Sequence, residues 1–234
     1  MKRFTITIPV ILMLLTKLYS QNIPEGYILQ YSQDFSHAGA IKDFRFNEVH
    51  AWSVEQVKGN GALIFRSVND TISGDHIPFL TCILSGFLFG DFILELRIMQ
   101  TNEDAGGPLW ILFGIRDSIR YYCVNITPIP GDSTSNLYVV DNSLPVKVQP
   151  EFTETIPFVA NKWHKIRIER NIVDKSVRVF IDDLKKPCLS LKDRKYIMGY
   201  IGFGSDNGSG RIDDIKIWSQ TVIPVEADFL EQKE

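Results

Sequence analysis

Trp163-His164-Lys165-Ile166-Arg167-Ile168-Glu169-Arg170 is followed, after a polar turn at 171–175, by Ser176-Val177-Arg178-Val179-Phe180-Ile181-Asp182. Gly199-Tyr200-Ile201-Gly202-Phe203-Gly204 then leads through Asn207-Gly208-Ser209-Gly210 into Arg211-Ile212-Asp213-Asp214-Ile215-Lys216-Ile217-Trp218. Apolar and polar residues alternate within each run, and turn residues separate the runs. Successive side chains of a strand point to opposite faces, so this pattern predicts antiparallel strands with one buried face.

The pattern continues upstream. Residues 26–35 read as an opening strand, expected to lie beside the closing strand 212–218. Residues 51–55 and 62–66 read as a hairpin across Lys58-Gly59-Asn60-Gly61. A polar segment at 69–76 precedes a strand at 79–84, and 86–90 reads as an irregular approach to the next. No stretch has the period of an ordinary helix, so the class is all-β, a two-sheet antiparallel jelly-roll sandwich. With no repeat or linker, 21–220 reads as a single domain and 221–234 as a short tail, either amphipathic or disordered.

Three central segments each divide into an apolar and a mixed face. In 91–99, Phe92, Leu94, Leu96 and Ile98 oppose Asp91, Ile93, Glu95, Arg97 and Met99. In 110–116, Ile111, Phe113 and Ile115 oppose Trp110, Leu112, Gly114 and Arg116. In 121–126, Tyr122, Val124 and Ile126 oppose Tyr121, Cys123 and Asn125. Read as a meander, the three present one open surface bearing Glu95, Arg97, Trp110, Arg116, Tyr121 and Asn125, with 127–136 at its rim and a further strand at 137–140.

Lys2 and Arg3 precede an apolar run at 4–15, and Ser20 offers a small residue for cleavage. This predicts a secretory signal over 1–20, the run being shorter than the ~18 residues that span a bilayer. The expectation is a periplasmic or extracellular protein with no membrane span in its mature form. Without Lys2, Arg3 and Lys17, 22 of the 25 basic residues face 28 acidic ones, giving −6. An acidic chain without Lys/Arg clusters argues against nucleic acid as a partner. Cys82, Cys123 and Cys188 allow one disulfide plus a buried thiol, or three isolated small hydrophobes.

Phe89-Gly90-Asp91-Phe92, Phe113-Gly114-Ile115-Arg116-Asp117, Trp163-His164-Lys165 and Gly199-Tyr200-Ile201-Gly202-Phe203-Gly204-Ser205 give the chain a family likeness from about 31 to 218. It resembles the concanavalin A-like, laminin G-like jelly rolls, related to the bacterial 3-keto-disaccharide hydrolase-like domains of polysaccharide-degrading bacteria. The resemblance implies a His-containing strand and a polar, His-rich segment after it. Asn125 and Gly131-Asp132-Ser133-Thr134-Ser135-Asn136 stand at those positions here, and the loop Ala105-Gly106-Gly107-Pro108 has no ionisable side chain. Groups able to move a proton at neutral pH are thus missing where the resemblance places them.

Two readings of function follow, and a third is a structural or interaction domain. In the first, the chain binds an oligo- or polysaccharide without turnover: flat rings at Trp110 and Tyr121, beside Arg97, Arg116 and Asn125, suit the apolar faces and hydroxyls of a sugar. In the second, the chain cleaves glycans, with Glu95 as the catalytic carboxylate and Asp104 or Asp117 as its partner, since glycoside hydrolysis needs a pair. His164 alternates with Ile166 and Ile168 and reads as a core histidine; His76 is a rim or solvated loop residue, and His37 and His50 suggest no metal site. No cofactor is expected beyond a structural calcium. Asp34, Asp213 and Asp214 supply hard oxygen donors where the terminal strands would meet, the alternative being solvated turn acids with no ion.

Overall fold

The computed structural model describes residues 23–57, 60–67, 80–101, 108–126, 136–142, 144–154, 158–206 and 208–230. Its strands, in chain order, begin with β1 (Ile28–Gln33), β2 (Phe44–Phe46), β3 (Trp52–Val57), β4 (Asn60–Phe65), β5 (Leu80–Leu84) and β6 (Leu88–Phe89). The middle third forms β7 (Phe92–Gln100), β8 (Leu109–Asp117), β9 (Arg120–Ile126), β10 (Asn136–Asp141), β11 (Val146–Lys147) and β12 (Phe152–Thr153). The remainder forms β13 (His164–Asn171), β14 (Ser176–Ile181), β15 (Leu189–Lys192), β16 (Tyr200–Ser205), β17 (Gly210–Ser219) and β18 (Val222–Ile223).

These strands make the expected antiparallel sandwich. One sheet runs β12-β15-β14-β13-β7-β17-β4-β3, and β1 also pairs with β17; the other runs β11-β10-β9-β8-β16-β5-β2. The first and last long strands do lie side by side, with Gln33 opposite Ile215 and Ile28 opposite Ser219. The 51–66 hairpin is β3–β4. The approach at 86–90 carries β6, which pairs with β18 from the tail.

The inner faces alternate as the sequence reads except in β8, where a bulge at Gly114 (φ 59°) turns Ile115, expected inward, to the outer cluster. Leu94, Leu96 and Ile98 of β7, Ile166 and Ile168 of β13, and Ile212, Ile215 and Ile217 of β17 are buried against Ile111, Phe113, Tyr122 and Val124 of the facing sheet. Phe92 meets Phe113 edge-on at 5.7 Å. Arg170 continues the inward row of β13 and lies over the rings of Phe113 and Tyr122, its guanidinium carbon 5.2 and 5.0 Å from their centroids. It also donates to the carbonyl of Tyr196. Burial pushes the pKa of this guanidinium down.

The meander reading of the central segments is corrected here. β7 belongs to the first sheet, while β8 and β9 belong to the second. Alternation fixes which side chains of a strand are buried, not which sheet the strand joins. Because the apolar faces meet across the core, the mixed faces point out on opposite sides of the sandwich. The single surface bearing Glu95, Arg97, Trp110, Arg116, Tyr121 and Asn125 therefore does not form.

All three cysteines are buried and outside any disulfide. Cys82 and Cys188 sit in the main core and Cys123 in the cluster on the outer side of the second sheet, so they act as small hydrophobes. The expected leader lies outside the described residues. Among the described residues, no helix is long and apolar enough to cross a membrane.

Candidate functional site

On the outer face of the first sheet, β7 lies between β13 and β17, and strand register places charged side chains side by side. Glu95 faces Arg167 on one side and Lys216 on the other; Arg97 faces Lys165 and Asp213. Glu95 with Arg167 or Lys216, and Arg97 with Asp213, are unlike-charge pairs that attract; Arg97 with Lys165 is a like-charge pair that repels. Arg167 Nη1 donates to Glu95 Oε1 at 2.9 Å, and its Nε is 2.7 Å from Glu169 Oε1. Glu169 Oε2 in turn contacts Arg178 Nη2 at 2.7 Å. Glu95 is 7% exposed and Arg167 3%, so the pair is buried despite facing outward.

A bulge then gathers two acids onto one arginine. Between Asp213 and Lys216, β17 carries one residue more than β7 opposite it, and Asp214 absorbs the change in the left-handed region (φ 51°). Asp213 Oδ2 lies 2.5 Å from Arg97 Nη2, and Asp214 Oδ2 lies 2.6 Å from Arg97 Nε. The Asp214 N–H donates back to Asp213 Oδ1 at 2.6 Å. The calcium expectation gives way to this arrangement. Asp213 and Asp214 answer Arg97, Asp34 accepts the Ser36 N–H at 3.0 Å, and the described residues hold no cluster of three or more His, Cys, Asp or Glu placed for a metal.

Burial pushes the Asp213 carboxyl above the usual carboxylate range, and the charge of Asp214 acts in the same direction, against Arg97. A carboxyl with a raised folded pKa stabilises the fold below its unfolded value and loses that contribution as pH rises through the folded one. Asp213→Asn should therefore be more stable relative to the parent at about pH 7 than at about pH 3. Urea unfolding at both pH values checks this, and the reverse order would contradict it.

Trp163 completes the site. Asn161 takes a left-handed conformation (φ 60°), which Asn tolerates, and its N–H bonds the carbonyl of Gln100 at 2.8 Å. This turn brings Trp163 in at the head of β13, where the guanidinium carbon of Arg97 sits 5.1 Å from its ring centroid. The ring is half-buried. His164 anchors the segment from inside, as a core histidine. Its Nδ1 is 2.8 Å from Asp182 Oδ2, its Nε2 accepts the Val159 N–H at 3.0 Å, and its ring stacks on Phe158 at 4.3 Å.

Two depressions flank Arg97. The larger, about 190 Å³, is lined by Glu55, Asn60, Arg97, Trp163, Arg211 and Asp213, among others. The smaller, about 90 Å³, has Glu95, Arg97, Lys165, Asp214 and Lys216 in its wall. Trp163, Arg211, Glu55 and Asn60 are the residues that sequence reasoning missed. The signal for Trp163 was present: it alternates with Lys165 and Arg167 on the face opposite Ile166 and Ile168. Arg211 stands likewise beside Asp213, across Ile212.

Of the expected site, only Arg97 and Glu95 belong here. Trp110, Tyr121 and Asn125 lie on the outer face of the second sheet, 3, 5 and 5% exposed, and Arg116 is exposed on that strand. Trp110 meets Tyr138 edge-on at 5.8 Å, and Ala227, Phe229 and Leu230 of the tail pack into the same cluster. The tail is bound there by Tyr200 Oη, which donates to the Glu226 carbonyl at 2.7 Å. Asp117 forms an ion pair with Arg120 at the β8–β9 turn, so it cannot partner Glu95. Asp104 and His76 lie outside the described residues.

No family model and no curated protein match the sequence. By structure the chain is similar to the carbohydrate-binding module CBM66 from Bacillus subtilis, with a TM-score of 0.56 and 12% identity over 76% of this chain and 96% of that one. It is also similar to domain 4 of AbnA, a GH43 extracellular arabinanase from Geobacillus stearothermophilus, in complex with arabinotriose (TM-score 0.53, 9% identity, 86% and 95% covered). Peanut lectin with a nine-residue peptide matches at a TM-score of 0.53 and 10% identity, over 85% and 99%. At such identities the likeness is one of fold, and the sandwich is a concanavalin A-like jelly roll.

Proposed function

We propose that this is an exported protein of bacterial polysaccharide utilisation that binds an oligo- or polysaccharide at the Trp163 cleft, without turning it over. The observation that carries the reading is the half-buried Trp163 ring, held by Arg97 at the wall of a polar depression. A sugar ring has apolar C–H faces edged by hydroxyls, so it is matched by an aromatic plane with charged and amide groups around it. Asn60, Glu55 and Arg211 supply such groups here. The volume, about 190 Å³, is below that of a typical enclosed ligand pocket and suits part of a chain passing over the sheet. That two structural neighbours are a carbohydrate-binding module and an arabinanase domain holding arabinotriose is consistent with this use of the fold.

Binding without turnover is favoured by the state of the carboxylates. Glu95 is held by Arg167, Asp213 and Asp214 by Arg97, and Glu55 by Arg66. A carboxylate already fixed on a guanidinium is not free to move onto a glycosidic oxygen. A glycan screen on the purified protein, followed by titration of each hit, tests the proposal. Trp163→Ala should weaken saccharide binding by about 1–3 kcal/mol, with the melting temperature nearly kept. Equal affinity in the variant would remove the cleft from the binding surface. Release of reducing ends that stops in Glu95→Gln would establish the hydrolase reading instead.

A further inference from the structure

We infer that the saccharide taken at this cleft is an acidic one, and that Arg211 reads its carboxylate or sulfate. The inference rests on the proposed binding role and goes on to the chemistry of the ligand. It starts from the ion pairs of the outer face. Every acid lining the two depressions already has a cation: Glu55 has Arg66, Glu95 has Arg167, and Asp213 and Asp214 share Arg97. Arg66 and Arg167 stand outside the linings, so they neutralise two of the four acids from elsewhere.

The cations are left over. Among the described residues, Arg211 in the larger depression and Lys165 and Lys216 in the smaller have no ion-pair partner, and Arg97 lies between them. Asp213, the nearest acid along β17 on the same face as Arg211, is turned to Arg97. Three unanswered cations on one face stand out in a chain whose net charge is −3. Lys165 is exposed, and alone it would be ordinary solvated surface. Arg211 and Lys216 are both half-buried, and Arg211 differs in sharing a wall with Trp163. A planar guanidinium with free donors beside a stacking ring can bind a carboxylate or sulfate in two-point fashion while the ring takes the sugar's C–H face. Lys216 and Lys165, beyond Arg97, would meet the next charged residues of a polymeric chain.

The test is affinity titration of the purified protein with polygalacturonate, dextran sulfate and neutral dextran at low and moderate salt. One acidic polymer should bind at least about tenfold more tightly than dextran, with the preference narrowing as salt rises. Which polymer binds separates a carboxylate ligand from a sulfate ester. Arg211→Gln should remove most of that preference and Lys216→Gln a smaller part, while Lys147→Gln, on the other sheet, should leave it intact. Melting temperatures confirm that each variant is folded, and Arg211→Lys should keep part of the preference. Tight binding of a neutral glycan that Trp163→Ala weakens and Arg211→Gln does not would overturn this inference and leave the binding role standing. Equal loss of preference in Lys147→Gln would also overturn it, as diffuse charge attraction. Binding to no glycan at all would overturn the proposed function itself.

Discussion

Replacing Arg167 with methionine is expected to lower the free energy of unfolding by about 3–5 kcal/mol, although the side chain lies on an outward face. At 3% exposure its guanidinium is out of water, and it donates to Glu95, itself 7% exposed, at 2.9 Å. Removing one partner of a buried pair leaves the other charge desolvated without its counter-charge, and that is the costly part. Glu169 is less affected, because Arg178 still contacts it at 2.7 Å. The double variant Arg167→Met with Glu95→Leu should recover most of the loss, since no buried carboxylate then lacks its cation. Urea unfolding with an unchanged slope is the measurement. A loss below about 1 kcal/mol in the single variant would mean that the pair behaves as an exposed one. The result also bears on function: a Glu95 whose main consequence is stability is a girder of the cleft floor rather than an acid of a reaction.

The alternation that makes Arg167 an outward residue was legible in the sequence, and so were the strands it builds. Every long strand from β7 to β17 falls on a run that alternates apart from the bulges in β8 and β17, and the side-by-side placement of β1 and β17 follows from the order of the runs. Sheet membership was not legible. A strand with one apolar face satisfies either sheet of a sandwich equally well, so 91–99 and 110–116 could be read as neighbours when they face each other across the core. The site went astray for that reason. Trp110 and Tyr121 were correctly placed on a face opposite the core, but period two cannot reveal a tail packing over that face. Asp213-Asp214 shows the same limit. Two adjacent acids near a strand pairing suggest a cation, and the cation proves to be Arg97, which only the β7–β17 register and its bulge bring alongside.

Gly199→Ala should be among the most damaging small substitutions, costing roughly 3 kcal/mol or more. Gly199 exchanges two backbone hydrogen bonds with Phe89, at 2.9 and 3.1 Å, just before β16 begins. On its other side β8 comes so near that a Cβ would lie 2.3 Å from the carbonyl carbon of Gly114 and 2.4 Å from the Ile115 nitrogen. Both obstacles are backbone, so no side chain can swing away to make room. The register of β8 shifts between Phe113 and Asp117, and Gly114 takes a positive φ of 59° within that bulge. Gly114→Ala should cost less, about 1–2 kcal/mol, because its Cβ would meet the Tyr122 ring and Tyr196 at 3.2–3.3 Å. Gly90→Ala meets nothing closer than 3.5 Å and serves as the near-neutral control. Thermal melts of the three variants should rank Gly199→Ala lowest, then Gly114→Ala, then Gly90→Ala close to the parent. If Gly199→Ala melts with Gly90→Ala, then β16 can move away from β8 at little cost. The tight backbone contact would then be incidental to holding the second sheet together.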